Sequence, residues 1–224
     1  MPLSFRKLSK FFGTKTPPTR DDTAKAIHSA KRNAFDYKTT RGLRQSSMAH
    51  LTRIKTRIAK IIEETGATEE KPMKLLDIGC GSGQFAKEVK AAFGDLVEIH
   101  ALDVTWRPQW KDIKGVKFRL GHAENLERFA PGYFDMVIST FGLCYTPDQL
   151  KALEQAQKVT KENGWIITHV HKGVLKRRQG TDVRKLAKLL GARVTHFPPI
   201  PGHPIYSIQF RKKAEVVPLS RLAP

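Results

Sequence analysis

The sequence predicts an α/β fold, a doubly wound and mostly parallel seven-stranded sheet with helices on both faces, behind a basic N-terminal helical extension. Two apolar-rich runs, Lys74–Asp77 and Val97–Asp103, each end in an acid. Glycines at 79, 81 and 83 follow the first run and lead into a stretch of helical character. Downstream, strand-like runs alternate with helix-like ones, the pattern of parallel βα units.

The extension covers residues 1–70. Met1 to Arg20 holds Arg6, Lys7, Lys10, Lys15 and Arg20, with Phe5, Phe11 and Phe12 among them and no acid. Pro17-Pro18 then breaks any helix. Such a segment suits a nucleic-acid arm, a membrane-surface helix or an organellar transit peptide. Asp21 or Asp22 can cap a helix running to about Phe35. A longer helix is expected from Ser46 to Glu64. There Met48, Leu51, Ile54, Ile58 and Ile61 recur at three or four residues and make one apolar stripe. Arg53, Lys55, Arg57 and Lys60 fall largely off that stripe, as on a packing helix with a solvated face. Gly66 to Lys71 links into a sheet domain over 71–213, and 214–224 forms a tail.

Lys74 to Asp77 reads as a buried parallel strand, and Gln84 to Phe93 as the helix after it, stopped by Gly94. Glycines at that junction allow positive φ, clear β-carbons from a ligand's path and present main-chain N–H groups at a helix N-terminus. The dinucleotide fingerprint G-x-G-x-x-G requires a third glycine where Gln84 stands. The pattern is instead D-x-G-x-G-x-G. Its acid, Asp77, would repel a pyrophosphate and attract an ammonium, which suits a cofactor with an amino-acid end.

On these residues the chain resembles motif I of the class I S-adenosylmethionine-dependent methyltransferases, a family with a Rossmann-like sheet. The next strand agrees. Asp103 lies 20 residues beyond Gly83, the spacing of an acid that holds ribose hydroxyls. Gly121-His122-Ala123-Glu124-Asn125-Leu126 resembles the family's adenine loop, with His122 where an Asp is usual. An imidazole can still hydrogen-bond the adenine edge, and Ala123 and Glu124 can share that work. Phe134 to Thr140 looks like strand four. Phe141 to Tyr145 follows, where the family places residues facing the methyl donor. Pro147 to Asn163 reads as a helix closed by Gly164, and Trp165 to His171 as strand five. Thr181 can cap a helix from Asp182 to Leu190 that Gly191 ends. Ala192 to Phe197 and Tyr206 to Phe210 read as the last two strands. The resemblance implies S-adenosylmethionine as cofactor. Its expected site is Asp77, Gly79, Cys80, Gly81, Gly83, Asp103, Val104, His122, Ala123, Glu124, Ser139 and Thr140.

The implied donor carries a sulfonium, so methyl transfer is an in-line displacement with a neutral thioether leaving, and alignment does much of the work. A base is needed only where the acceptor must lose a proton early. Tyr145, His169 and His171 are the candidates by placement. Ser139-Thr140-Phe141-Gly142 lacks the D/N-P-P-Y/F/W motif of amino-methylating enzymes. Cys144 stands in Leu-Cys-Tyr rather than the Pro-Cys or Thr-Cys context of a cytosine-carbon nucleophile. Asp135 sits at the start of strand four, where a ribose 2′-O enzyme needs an Asp near its end.

Charge adds a second line. The net charge is +19. Residues 1–74 carry 17 Lys/Arg against 7 Asp/Glu, residues 75–170 carry 11 against 12, and residues 171–224 carry 12 against 2. A neutral core between basic flanks is a plausible footprint for a phosphate backbone, with Arg53, Arg57, Lys172, Lys176, Arg177 and Arg178 as candidate nucleic-acid contacts. Solvated helix faces are the plain alternative. RNA, ribosomal or otherwise structured, is thus the first expected substrate. A small quinone, lipid or metabolite is the rival, since Ser139 to Asp148 looks like that branch of the family. A non-catalytic RNA-binding or ribosome-assembly factor is the third reading. Two cysteines, with no C-x-x-C pair, suggest neither a disulfide framework nor zinc. No run approaches the ~18 apolar residues of a membrane span. A cytoplasmic location is expected, with a mitochondrial one as the alternative.

Overall fold

The computed structural model describes residues 41–140, 142–171, 182–196, 205–216 and 219, with the backbone alone at 41–50, 144, 145, 170, 171, 196 and 205. The helix expected from Asp21 or Asp22 and the Arg/Phe-rich start lie outside the described residues.

Helix α1 spans Arg41–Thr65. Leu51, Ile54, Ile58 and Ile61 are buried, so the stripe faces the protein as its spacing requires. Gly66 ends the helix at φ 61°, where the Ala67 N–H reaches the Ile62 carbonyl at 3.1 Å. Strand β1, Met73–Ile78, runs between β2, Val97–Asp103, and β4, Phe134–Ser139. Helix α2, Gln84–Phe93, joins β1 to β2 and ends at Gly94, as expected.

The seventh strand is β3, Val116–Leu120, paired outside β2. No motif in the sequence marks it. As an edge strand it alternates only weakly, and Lys117, Arg119 and Leu120 are exposed. Helix α3, Gln149–Val159, leads into β5, Thr160–His171. Helix α4, Val183–Leu190, precedes β6, Arg193–His196, and β7, Ile205–Arg211. The sheet order is β3-β2-β1-β4-β5-β7-β6, with β7 antiparallel to both neighbours.

Several boundaries differ from expectation: α1 begins at Arg41 rather than Ser46, and β5 at Thr160 rather than Trp165. Helix α3 stops at Val159, not Asn163. The β-branched Thr160 takes an extended conformation, and its hydroxyl donates to the Ala156 carbonyl at 2.6 Å. Asn163 then adopts φ 60°, and β5 pairs with β4 in a shifted register. Asp182, not Thr181, caps α4, accepting the Arg184 N–H at 2.7 Å. Thr181 lies outside the described residues.

The sheet separates two apolar layers. One joins Ile54, Ile58 and Ile61 of α1 and Ala86 and Val89 of α2 to Leu75, Ile99 and Ile138. The other packs Leu150, Leu153 and Leu186 of α3 and α4 against Leu76, Val137, Ile166 and Phe210, with Leu219 closing it.

Candidate functional site

The site assembles where β1, β2 and β4 end, the position at which open α/β sheets bind ligands. The turn after β1 is drawn over β2: the Gly79 and Cys80 N–H groups donate to the Leu102 carbonyl at 2.7 and 3.1 Å. Gly79, Gly81 and Gly83 all have positive φ, so the glycines answer a backbone need. Their surroundings differ. A β-carbon on Gly79 would come within 2.5 Å of Gly142 Cα, and one on Gly83 within 2.9 Å of Ile113 and Phe118. One on Gly81 would meet nothing within 4 Å. The turn is therefore packed on two sides and open at its middle.

Asp103, at the tip of β2, braces the open glycine. One carboxylate oxygen accepts the Gly81 N–H at 2.8 Å, and the other accepts the Thr105 N–H at 3.0 Å. The Trp110 indole donates to the Gly81 carbonyl at 2.8 Å while stacking on Phe118 at 4.8 Å between centroids. Asp77 is buried, with no hydrogen bond or ion pair among the described residues. Burial and the charge of Asp103 push it up to about 8. Two neighbouring carboxylates without a paired cation suit a cationic ligand.

From β4, the Ser139 hydroxyl donates to the Ile78 carbonyl at 2.9 Å and accepts the Leu143 N–H at 3.0 Å. This brings Gly142 against Gly79. Glu124 accepts the Asp148 N–H at 3.2 Å and so ties the loop after β3 to the start of α3; burial pushes its carboxyl up.

The expected site residues thus divide. The structure brings Asp77, Gly79, Cys80, Gly81, Gly83 and Asp103 together. Val104 and Thr140 are half-buried nearby in sequence, Ala123 is buried and His122 exposed. Three of the expected residues have enclosed side chains. Ser139 is buried, with its hydroxyl used inside the chain, so it shapes the site from beneath. Cys80 is a buried neutral thiol, raised well above its ordinary pKa by burial, Asp77 and Asp103, and serves as packing. His169 is fully buried, and its burial, opposed by a hydrogen bond to the Ser139 main chain, draws its pKa down to about 4. A base so enclosed does not reach an acceptor. The side chains of Tyr145 and His171 lie outside the described residues, as do Lys172, Lys176, Arg177 and Arg178. Arg53 is exposed on α1, while Arg57 stacks on Trp165, 3.9 Å from its centroid.

Sequence reasoning missed Trp110, and it placed Gly142 only within the stretch Phe141 to Tyr145 beside the donor, without its contact to Gly79. A lone glycine and a tryptophan in a loop carry no motif. Their roles arise from contacts with residues 63 and 29 positions away.

Residues 48–206 match the family profile described as a methyltransferase domain. The demethylmenaquinone methyltransferase of Staphylococcus aureus is 29% identical over 114 residues, covering 48% of this chain and 46% of that protein. The ubiquinone/menaquinone biosynthesis C-methyltransferase of Coxiella burnetii is 27% identical over 168 residues, covering 71% and 64%. This chain therefore spans less than two thirds of the length of either curated relative. The solved structure of 1,6-didemethyltoxoflavin-N1-methyltransferase from Burkholderia thailandensis, which holds S-adenosylhomocysteine, superposes with a TM-score of 0.57 at 15% identity over 88% of this chain and 91% of that one. That likeness is one of fold.

Proposed function

This chain belongs to the methyltransferase-domain family; from that premise we propose that it is an S-adenosylmethionine-dependent methyltransferase whose acceptor is a small organic molecule. The donor assignment rests on one relationship, the open Gly81 turn flanked by the carboxylates of Asp77 and Asp103. Asp77 stands where an ammonium would relieve its burial. Asp103 retains acceptor capacity for hydroxyls beside its two main-chain bonds. When bound, the donor supplies a methyl group on a sulfonium. Gly79, Ser139 and Gly142 fix the distance between the donor turn and the loop after β4. Trp110 holds the Gly81 carbonyl, and Glu124 holds the loop after β3 beside α3. These residues bind and orient; none of them has to move a proton for an in-line transfer.

The small-molecule reading is supported by the curated relatives, which are named for quinone methylation. It is also supported by the position of two guanidiniums. Arg57 and Arg211 lie over Trp165, toward the start of β5 and below the level of Asp77. An RNA acceptor is the second reading, and the segregated charge of the two flanks favours it. Labelled-methyl transfer into organic-soluble, RNA and protein fractions of an extract, run in parallel, decides between them. Label in the organic-soluble fraction is expected; label confined to RNA overturns the small-molecule acceptor.

A further inference from the structure

A cavity of about 460 Å³ lies toward the β6–β7 edge of the sheet, on the face that α1 covers, walled by α1, the start of β5 and the β6–β7 pair. Trp165 pairs with Arg211, and Gln209 with Arg193, so these residues share one face of the sheet. Trp165 stands opposite Met136, two residues nearer the strand start than Ile167, which aligns with Ile138 and through it with Asp77. The cavity is therefore separate from the donor turn.

Its lining holds Arg57, Arg193, Arg211, Lys212 and Lys213, and no carboxylate. Two of the guanidiniums are held in place by the indole of Trp165, Arg57 at 3.9 Å and Arg211 at 4.8 Å from the ring centroid. Arg211 is further fixed by donating to the Asn163 carbonyl at 3.1 Å and to Glu64 at 2.9 Å. Glu64 reaches it from outside the lining. The Lys213 ammonium lies against Gly191, at the C-terminal end of α4, where a helix favours a cation. Five cations around one concave space repel one another and focus a positive potential into it. With guanidiniums on the indole, a ligand is recognised by charge rather than by stacking. Arginine forks match phosphate oxygens in pairs. The volume falls in the range of about 300–1,000 Å³ that small-ligand sites occupy.

We infer that this cavity binds an oligophosphate group, at a site distinct from the methyl-donor turn. The full chain is titrated calorimetrically with inorganic pyrophosphate, beside the triple variant Arg193→Ala, Lys212→Ala, Lys213→Ala. Those three side chains are outside the Trp165 stack. The expected result is pyrophosphate binding that weakens at least about tenfold in the triple variant, with donor binding and the ligand-free thermal midpoint unchanged. Should the triple variant not fold, the single change Arg193→Gln, at an exposed side chain, replaces it, with a smaller loss expected. A second arm adds a single-stranded RNA to the pyrophosphate complex. Displacement whose salt slope falls by about 2 in the triple variant, near 0.7 per cation, assigns the phosphates to a nucleic-acid strand. Retention of pyrophosphate assigns them to a small phosphorylated molecule. Absence of pyrophosphate binding at millimolar concentration, or equal binding by the variants, overturns the inference.

Discussion

Gly79 and Gly142 stand back to back: a β-carbon on Gly79 would lie 2.5 Å from Gly142 Cα, and one on Gly142 would lie 2.8 Å from Gly79 Cα and 2.5 Å from the Ile78 carbonyl oxygen. The donor turn and the loop after β4 are thus in main-chain contact, with Ser139 bonded to both sides of the seam.

Gly142→Ala should force that seam apart. Overpacking of this kind costs about 1–3 kcal/mol, and donor affinity should fall with it. Gly81→Ala provides the contrast. It has open space but φ 54°, so it should lose only about 1–2 kcal/mol and remain folded, while its methyl group obstructs the donor. Thermal unfolding and donor calorimetry on both variants test this. A Gly142→Ala protein with unchanged stability and unchanged donor affinity would refute the close contact.

Asp77 makes the ligand-free protein sensitive to base. Its carboxyl is raised from the ordinary 3.8 to about 8, so its proton binds more tightly in the folded state. The stabilisation is fully present below the ordinary value and is lost as pH rises through about 8. Asp77→Asn should flatten the part of the thermal-midpoint profile that declines between about pH 4 and pH 8, and should weaken donor binding by about tenfold or more. Parallel midpoint profiles for the two proteins would contradict the assignment.

His169 acts with the opposite sign. Its pKa is lowered from 6.5 to about 4, chiefly by burial, so the folded state resists protonation. Stability is present above 6.5 and falls as pH drops toward 4, by up to about 3 kcal/mol. His100, also lowered by burial despite its contact with Glu98, adds to the same slope. Denaturant titrations from pH 7 to 4 should show a shallower decline for His169→Gln, with the His100 portion remaining.

Trp110→Phe keeps an aromatic ring against Phe118 but removes the donor to the Gly81 carbonyl. The loss should be about 1 kcal/mol in stability, with a larger relative effect on donor affinity because the open glycine loses its brace. Unchanged donor affinity by calorimetry would remove Trp110 from the site.

The elements with local punctuation were legible in the sequence. Helix α2 and strand β2 have the bounds that Gly94 and Asp103 mark. The donor turn was legible because three glycines and two acids occur in a fixed order. Strand β3 was not, because its exposed edge relaxes the apolar alternation. The end of α3 was misplaced because the Asn163-Gly164 pair resembles a helix stop. Here it forms an irregular step within β5 beside Lys212, whose N–H donates to the Gly164 carbonyl at 2.8 Å. Ser139, Cys80 and His169 lie at expected positions along the chain, but their burial depends on tertiary packing. The basic cavity was illegible for the same reason: Arg57, Arg193 and Arg211 come from three distant segments.

The two apolar layers have a practical corollary for redesign. The layer under α1 and α2 supports the glycine turn, whereas the layer under α3 and α4 supports the chain leaving β4 and β5. Grafts that exchange the α3–α4 half for that of a relative should alter which compound is accepted while leaving the nucleoside grip intact, provided the glycine at 142 is kept as the joint between the halves.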